Sequence, residues 1–573
     1  MEIYQKIVRF KIYLALFLIL VLAAFLRFYQ LGSLPPGLYV DEASQSYNAY
    51  SFALTGKDEY GKSLPLFLRS FGTYSSSLYA YLSAIIIKFA GLSVFTSRFL
   101  SAATGVAIVL VTFLLIAKSN LQNSLAKAVL VSLVVAVSPW AIFLSRGVYE
   151  PNLGLALLIL GLVFLCASLK NNRLFIAGAL ILGLSTYAYN SERLVAPLTL
   201  LIFAILFRKT LLKDKRTAAI GFLFFLISQL PLIFLLGSAG PVVRLSGQSY
   251  FGQTFQVEYS NNWILNFALK SYALIKEFSS QYFAYFSPRN LFFDPDPDPQ
   301  RSIPQLSVFY SWMIIPFVIG IYHLKQNFSL KKQGDPLIKL LFFVMLIALI
   351  PAALTKDPFS TFRALPLFWI FSIIAGLGIY QMLVHFRQRT FKVLVLAVLL
   401  LISLSSFWSS YFVLLKYERG KAWNYGFDEL AVKTQENKNR QFIIDSSREA
   451  PAYILFAFYN KYDPAKLQKD YGWRATGNYY DSPNFDKSYQ LDNVSVRPIV
   501  WETDIYLDQI LVGDILAISD EQAKEHKLEL FFEIKDPKGE ILQRAFATNP
   551  KQKCQTLKPE FQTSEICRLI LGL

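Results

Sequence analysis

Histidine and cysteine are scarce in this chain, three of each in 573 residues, and charged residues make up only 17%. With no cluster of Cys and His, zinc sites of the usual ligand types are argued against. So little charge beside 54% hydrophobic content excludes an ordinary soluble enzyme of this length, and makes the lipid bilayer the main solvent. The charge that is present leans basic, with 56 Lys and Arg against 39 Asp and Glu. These bases fall mostly in short clusters between apolar runs, as cytoplasmic loops require, so the excess does not point to nucleic acid. Cys166 lies inside an apolar run, while Cys554 and Cys567 close a short loop near the C-terminus. If that end is extracytoplasmic the two can form a disulfide; two unpaired thiols are the plainer alternative.

What is abundant is apolar runs. Ile12 to Phe28 follows Lys6, Arg9 and Lys11, has Arg27 at its far end and is followed by no convincing cleavage site, so it reads as an uncleaved anchor. Further runs begin near Phe99, Leu125, Leu153, Leu174, Leu194, Ala218, Val308, Leu337, Leu365 and Val393, for about eleven crossings in all. Ser77 to Ala90 is ambiguous: it is short, carries Lys88 and is flanked by glycine. If it does not cross and the N-terminus is cytoplasmic, the basic loops all fall inside. Those loops hold Lys118 and Lys127; Lys170 and Arg173; Arg208, Lys209, Lys213, Lys215 and Arg216; Lys325, Lys331 and Lys332; and Arg387, Arg389 and Lys392. Were it to cross, the densest basic loop would lie outside, so Ser77 to Ala90 is placed on or in the outer leaflet. The outer face then holds 29–97, 145–152, 187–193, 237–307, 355–364 and the chain after Lys416.

The expected fold is therefore a polytopic α-helical membrane protein with interfacial helices, spanning 1–416, followed by an extracytoplasmic α/β domain over 417–573. In the latter, a helix is expected over Phe427 to Gln435. Strands are expected at Gln441 to Asp445, Pro498 to Trp501, Ile510 to Ser519, Leu528 to Ile534 and Ile541 to Ala547. No internal repeat is present, and the Asp-Pro run from Asp294 to Pro299 reads as a stiff extended loop.

Charged groups near a membrane are expensive to bury without a partner or a function, and the outer segments concentrate them. Asp41 and Glu42 follow a Pro-Pro-Gly turn and precede a helix-compatible stretch; a plain capping pair is the other reading. Arg146 and Glu150-Pro151 sit four and five residues apart in a second turn, which an ordinary interfacial ion pair would also explain. Tyr187, Tyr189, Glu192 and Arg193 form a third mixed turn. Lys356 and Arg363 flank a fourth, and Arg363 could either snorkel to the interface or grip a phosphate with its planar fork. Together these turns describe a site for an anionic lipid headgroup and a sugar beside a carboxylate base.

At these residues the chain resembles the GT-C membrane glycosyltransferases, specifically the protein O-mannosyltransferases and the lipid A aminoarabinose transferases. The likeness rests on Asp41-Glu42 in the first outer loop, Glu150-Pro151 on a later outer turn, Arg363-Ala364-Leu365-Pro366 before a late span, and the order of elements over most of the chain. The extra luminal modules of the eukaryotic mannosyltransferases and the lysine-bearing loop motif of the aminoarabinose enzymes are not evident. The resemblance implies inverting transfer of a sugar from a polyprenyl-phosphate carrier to an acceptor hydroxyl on a protein, glycan or lipid outside the cell membrane. In that scheme Asp41 is the general base. Glu42 and Glu150 orient the sugar, the acceptor or a cation, with Tyr187 and Tyr189 beside them. Arg363 meets the leaving phosphate, with Arg146, Lys356 and Arg193 behind it. A divalent cation is compatible but not demanded, and Asp41 with Glu150 would hold it. Two rivals stand beside this reading: a transporter or flippase of lipid-linked glycans, disfavoured because the acids lie in loops rather than at midplane, and a membrane-anchored binding or assembly protein acting through its C-terminal part.

Overall fold

In hydrocarbon, a long apolar run can satisfy its backbone N–H and C=O groups only by becoming a helix, and each expected run does so. The computed structural model describes residues 2–235, 249–327, 335–447, 451–472, 479–480, 488–557 and 565–572. Of the expected loops, 237–248 and the basic pair Lys331 and Lys332 lie outside the described residues. The chain opens with α1 (Glu2–Phe28). Its first long loop builds α2 (Val40–Thr55), the antiparallel hairpin β1 (Phe67–Ser70) and β2 (Thr73–Ser76), and α3 (Leu78–Ala90). The bundle continues with α4 (Val94–Ala117), α5 (Ser124–Val137), α6 (Glu150–Ser168), α7 (Leu174–Ala188), α8 (Glu192–Leu206) and α9 (Lys215–Phe234). After α10 (Trp263–Ala284) come α11 (Ile314–Asn327), α12 (Pro336–Ala348), α13 (Leu365–His385) and α14 (Arg389–Phe407).

Seven of the described helices are long and apolar enough to cross a membrane. The expected runs at α5, α7, α8 and α11 form helices of 14 or 15 residues packed into the same bundle. At 13 residues α3 falls, like α5 and α7, short of the length that crosses alone. The centre of the bundle is α13, buried from Leu365 through Ile379, where Trp369 donates its Nε1–H to Thr112 Oγ1 at 2.9 Å. Lipid supplies no hydrophobic drive between helices, so close backbone approach does the work. A Cβ at Gly378 would meet the Pro316 carbonyl at 1.7 Å, and one at Gly320 the Ile374 carbonyl at 2.1 Å, so α11 and α13 touch through these two glycines.

The C-terminal region forms α15 (Phe427–Glu436), β3 (Phe442–Ile444), α16 (Tyr453–Tyr459), α17 (Pro464–Tyr471), β4 (Tyr489–Leu491), β5 (Val494–Val496), β6 (Ile510–Gly513), β7 (Glu529–Lys535) and β8 (Ile541–Ala547). The strands make one mixed sheet in the order β4-β5-β3-β6-β8-β7, with β3 parallel to both β5 and β6. Cys554 and Cys567 are disulfide-bonded, with Cα atoms 5.5 Å apart.

Two strand expectations are corrected. Pro498 to Trp501 forms no strand: Arg497 and Asp504 pair at 2.6 Å and Val500 N–H bonds the same carboxylate, which folds the segment into a turn and the short helix Trp501–Asp504. The strand beginning at Ile510 stops at Gly513, because Asp514 accepts from the N–H groups of Leu516 and Ala517 and turns the chain. The hairpin of β4 and β5 escaped the sequence reading because its strands are three residues each.

The first long loop and the C-terminal region share one apolar core, where Leu38, Ala43 and Tyr47 pack with Tyr453, Ile454 and Phe456. A buried acidic pair lies in this seam. Asp58 accepts from the Tyr479 hydroxyl and from Lys62 N at 2.7 Å, and Glu59 accepts from Tyr453 Oη at 2.9 Å and Asn48 Nδ2 at 3.0 Å. Burial pushes Asp58 up to about 6 and Glu59 up to about 7.

A second buried anchor fixes the start of α2. Arg98 of α4 donates Nε and Nη2 to the two oxygens of Glu42 at 3.2 and 3.0 Å, and its other N–H groups to the carbonyls of Leu31, Pro35 and Gly37. Both side chains are fully buried. Glu42 also accepts from Val148 N at 2.7 Å and Tyr39 N at 3.3 Å, which ties the first loop to the turn before α6.

Two outcomes follow. Because folding raises the pKa of Asp58 and Glu59, the folded chain holds protons that the unfolded chain releases from roughly pH 4 upward, so stability falls as pH rises toward about 7. Thermal unfolding of the detergent-solubilised protein should show this slope, and Glu59→Gln should flatten it. Removing one partner of the buried pair, by Arg98→Ala or Glu42→Gln, strands a charge or its donors and should cost about 3–5 kcal/mol. The double change Arg98→Met with Glu42→Met should recover part of the monodisperse protein lost by either single one, as read by size-exclusion chromatography.

Candidate active site

Five segments distant in sequence meet around a cavity of about 540 Å³. The start of α2 brings Tyr39, Asp41 and Gln45, and the hairpin adds Phe67, Thr73 and Tyr74. The start of α6 brings Tyr149, Glu150 and Pro151, the turn before α8 brings Tyr189 and Arg193, and the far wall is built from Asp298, Gln300, Arg301, Asp357 and Arg363. Asp41 occupies the first turn of α2. Glu150 starts α6 in the same way, followed by Pro151, which gives up no helical hydrogen bond there.

The far wall is a chain of charge. Asp357 Oδ2 accepts from Arg363 Nη1 at 2.7 Å and Arg301 Nη1 at 3.2 Å, so one carboxylate oxygen holds two guanidinium groups side by side. Arg301 also faces Asp298 at 3.2 Å and Asp296 at 3.5 Å, and Arg363 donates to Thr355 Oγ1 at 2.8 Å. Burial works against the charge on Asp357, but Arg363 and Arg301 outweigh it and hold the carboxyl below its usual range. At Asp296 burial wins over Arg301 and the pKa rises. At the start of α8, Arg193 lies over the Phe67 ring at 4.3 Å and reaches Ser76 Oγ at 3.3 Å.

Of the residues singled out from sequence, Asp41, Glu150, Tyr189, Arg193 and Arg363 line this cavity. Four others stand elsewhere. Glu42 is turned into the buried pair with Arg98, so its oxygens are committed to the protein. Arg146 is fully buried and donates to the carbonyls of Leu26 and Tyr29 at 2.8 and 2.7 Å; it fastens the end of α1 rather than facing the cavity. Tyr187 donates to the Ser228 carbonyl of α9, and Lys356 is exposed away from the lining. Sequence reasoning missed Tyr39, Asp298, Arg301 and Asp357. The signal for Arg301 is the acidic Asp-Pro run just before it, and that for Asp357 is its place between Lys356 and Arg363 in the fourth turn. Asp41 and Glu150 join Asp298 and Asp357 as carboxylates of the lining, and among the described residues no group of three His, Cys, Asp or Glu side chains is placed to hold a metal ion.

No family description and no curated protein matches the sequence. Solved structures do. ArnT from Cupriavidus metallidurans bound to undecaprenyl phosphate aligns at 12% identity over 92% of this chain and 97% of its own, with a TM-score of 0.53. The apo form of the same protein aligns at 10% identity over 93% and 97%, with a TM-score of 0.52. The Archaeoglobus fulgidus oligosaccharyltransferase tethered to an acceptor peptide aligns at 12% identity over 94% of this chain and 74% of its own, at 0.49. At such identities the likeness to ArnT is one of architecture, and it is nearly end to end: the chain is a multi-pass helical membrane protein with the GT-C fold and a C-terminal mixed sheet.

Proposed function

We propose that the chain is an inverting membrane glycosyltransferase that moves a sugar from a polyprenyl-phosphate carrier to an acceptor hydroxyl. The observation that carries this reading is one cavity lined both by the carboxylates Asp41 and Glu150 and by an arginine pair, Arg301 and Arg363, clipped by Asp357. Glycosyl transfer from a phosphate carrier needs both kinds of group. The acceptor oxygen attacks the anomeric carbon as the bond from that carbon to the phosphate oxygen breaks on the opposite face. The acceptor proton passes to Asp41, and the electron pair leaves with the phosphate, whose growing charge meets the guanidinium groups. ArnT, solved with undecaprenyl phosphate bound, offers the same carrier chemistry on the same fold.

Arg301 joins Arg363 at the phosphate, Glu150 and Tyr189 face the sugar or the acceptor, and Arg193 lies on the wall beside them. The clustering of bases between apolar runs supports a cytoplasmic N-terminus, with this cavity and the C-terminal domain outside the cell membrane. The acceptor hydroxyl belongs to a protein, a glycan or a lipid.

The test is transfer from a radiolabelled polyprenyl-phosphate sugar in membranes carrying each variant at equal abundance. Asp41→Asn should lower transfer by about 10²–10⁴-fold, and Arg363→Ala by about 10²–10³-fold. Full transfer by Asp41→Asn would remove it as base.

A further inference from the structure

The hairpin of β1 and β2 is too small to hold its own place, since each strand has four residues and a lone two-stranded ribbon is marginally stable at best. It nevertheless supplies Phe67, Ser70, Thr73, Tyr74 and Ser75 to the cavity lining. From α2, Gln45 donates its Nε2 to Ser75 Oγ at 3.0 Å and to the Ser76 carbonyl at 3.2 Å. Further support comes from Tyr479 and Tyr480, two tyrosines of the C-terminal region that stand outside the lining. The Leu66 N–H donates to Tyr480 Oη at 2.9 Å and the Arg69 N–H to Tyr479 Oη at 3.1 Å, while the Tyr74 hydroxyl donates to the Tyr479 carbonyl. Tyr479 accepts from a fixed direction because its own proton is committed to Asp58.

The rings reinforce these bonds. Phe67, Tyr74 and Tyr479 form a small apolar core of their own, with Tyr60, Tyr480 and Leu232 of α9 packed against it. Tyr480 meets the Phe67 ring edge-on, with centroids 6.4 Å apart, and its centroid is 6.0 Å from that of Tyr74. What hangs on the hairpin is a charge. Arg193 lies over the Phe67 ring at 4.3 Å, donates Nη2 to Ser76 Oγ at 3.3 Å and Nε to the Thr186 carbonyl at 3.4 Å. Two of these three contacts belong to the hairpin, so the place of this guanidinium in the cavity depends on the place of the hairpin. Tyr480, Phe67 and Arg193 follow one another as ring, ring and cation.

We infer that Tyr479 and Tyr480 are positioning residues, through which the C-terminal region clamps the hairpin into the cavity wall and, by way of the hairpin, sets Arg193. The C-terminal region is then a working part of the site and not a separate module. The inference rests on the reading of this cavity as the place of transfer. A wall displaced by a fraction of an ångström slows a reaction that depends on positioning, while Arg301 and Arg363 keep their hold on the carrier phosphate.

The experiment pairs steady-state transfer, varying polyprenyl-phosphate sugar at fixed acceptor, with amide hydrogen exchange of the hairpin peptide, both on the full-length protein. Tyr480→Ala removes the partner of the Leu66 N–H and the ring against Phe67. It should lower kcat about three- to thirtyfold with the donor KM within about twofold, and the hairpin should exchange about tenfold faster. Tyr480→Phe returns the ring and should recover part of both. Trp501→Ala removes a ring stacked on His526 in a separate cluster of the same region and should change neither. Unchanged kcat or unchanged hairpin exchange in Tyr480→Ala, a loss appearing in KM, or an equal loss in Trp501→Ala would overturn the inference. If Tyr480→Ala inserts poorly, Tyr480→Phe decides on the same two readouts. A wild type that transfers nothing from the carrier would sink the glycosyltransferase reading instead, and the exchange readout would then decide the clamp alone.

Discussion

The arrangement depends on one buried ion pair. Arg98 and Glu42 are both shut away from solvent, and each donor group of the guanidinium has a partner: the two carboxylate oxygens and three carbonyls of the loop between α1 and α2. Such pairs are weak evidence of net stability, since taking two charges out of water is expensive. Their value is geometric. Three carbonyls, one carboxylate and, through Val148, the turn before α6 converge on a single side chain, which leaves the first loop one way to enter α2. Asp41, one residue before Glu42, is then presented outward because its neighbour is turned inward.

The same logic organises the far wall. Asp357 is exposed enough to stay charged and close enough to bind two arginines with one oxygen, so Arg301 and Arg363 stand together despite their like charge. The Asp-Pro run supplies Asp296 and Asp298 to the other side of Arg301 on a backbone that proline stiffens. Three carboxylates hold two guanidinium groups in place, and an anionic group would have to compete with them for the arginines.

The seam between first loop and C-terminal region extends this frame. Tyr47, Tyr453 and Tyr479 reach across it, and Tyr479 bonds both Asp58 and the Arg69 N–H of the hairpin that walls the cavity. The C-terminal region is thereby coupled to the shape of the site through hydrogen bonds to buried carboxylates.

Read from residues alone, the apolar runs and their helices were legible, since a bilayer leaves the backbone no other way to pair its polar groups. Most strands of the sheet were legible for a similar reason, their alternation being local. Asp41, Glu150, Arg193 and Arg363 could be singled out because charge beside an apolar run is conspicuous. The direction in which adjacent charges point was not: Asp41 and Glu42 are neighbours with opposite fates, and Arg146 looked like a phosphate ligand while it was holding the end of α1. Arg98 sat in an apolar helix with its partner 56 residues away, and Arg301 met Asp357 across a similar gap. Composition and periodicity act along the chain and determined the membrane, the helices and the acidic and basic turns. Which carboxylate became a strut and which faced the cavity was decided by contacts between distant segments, and only the folded chain contains those.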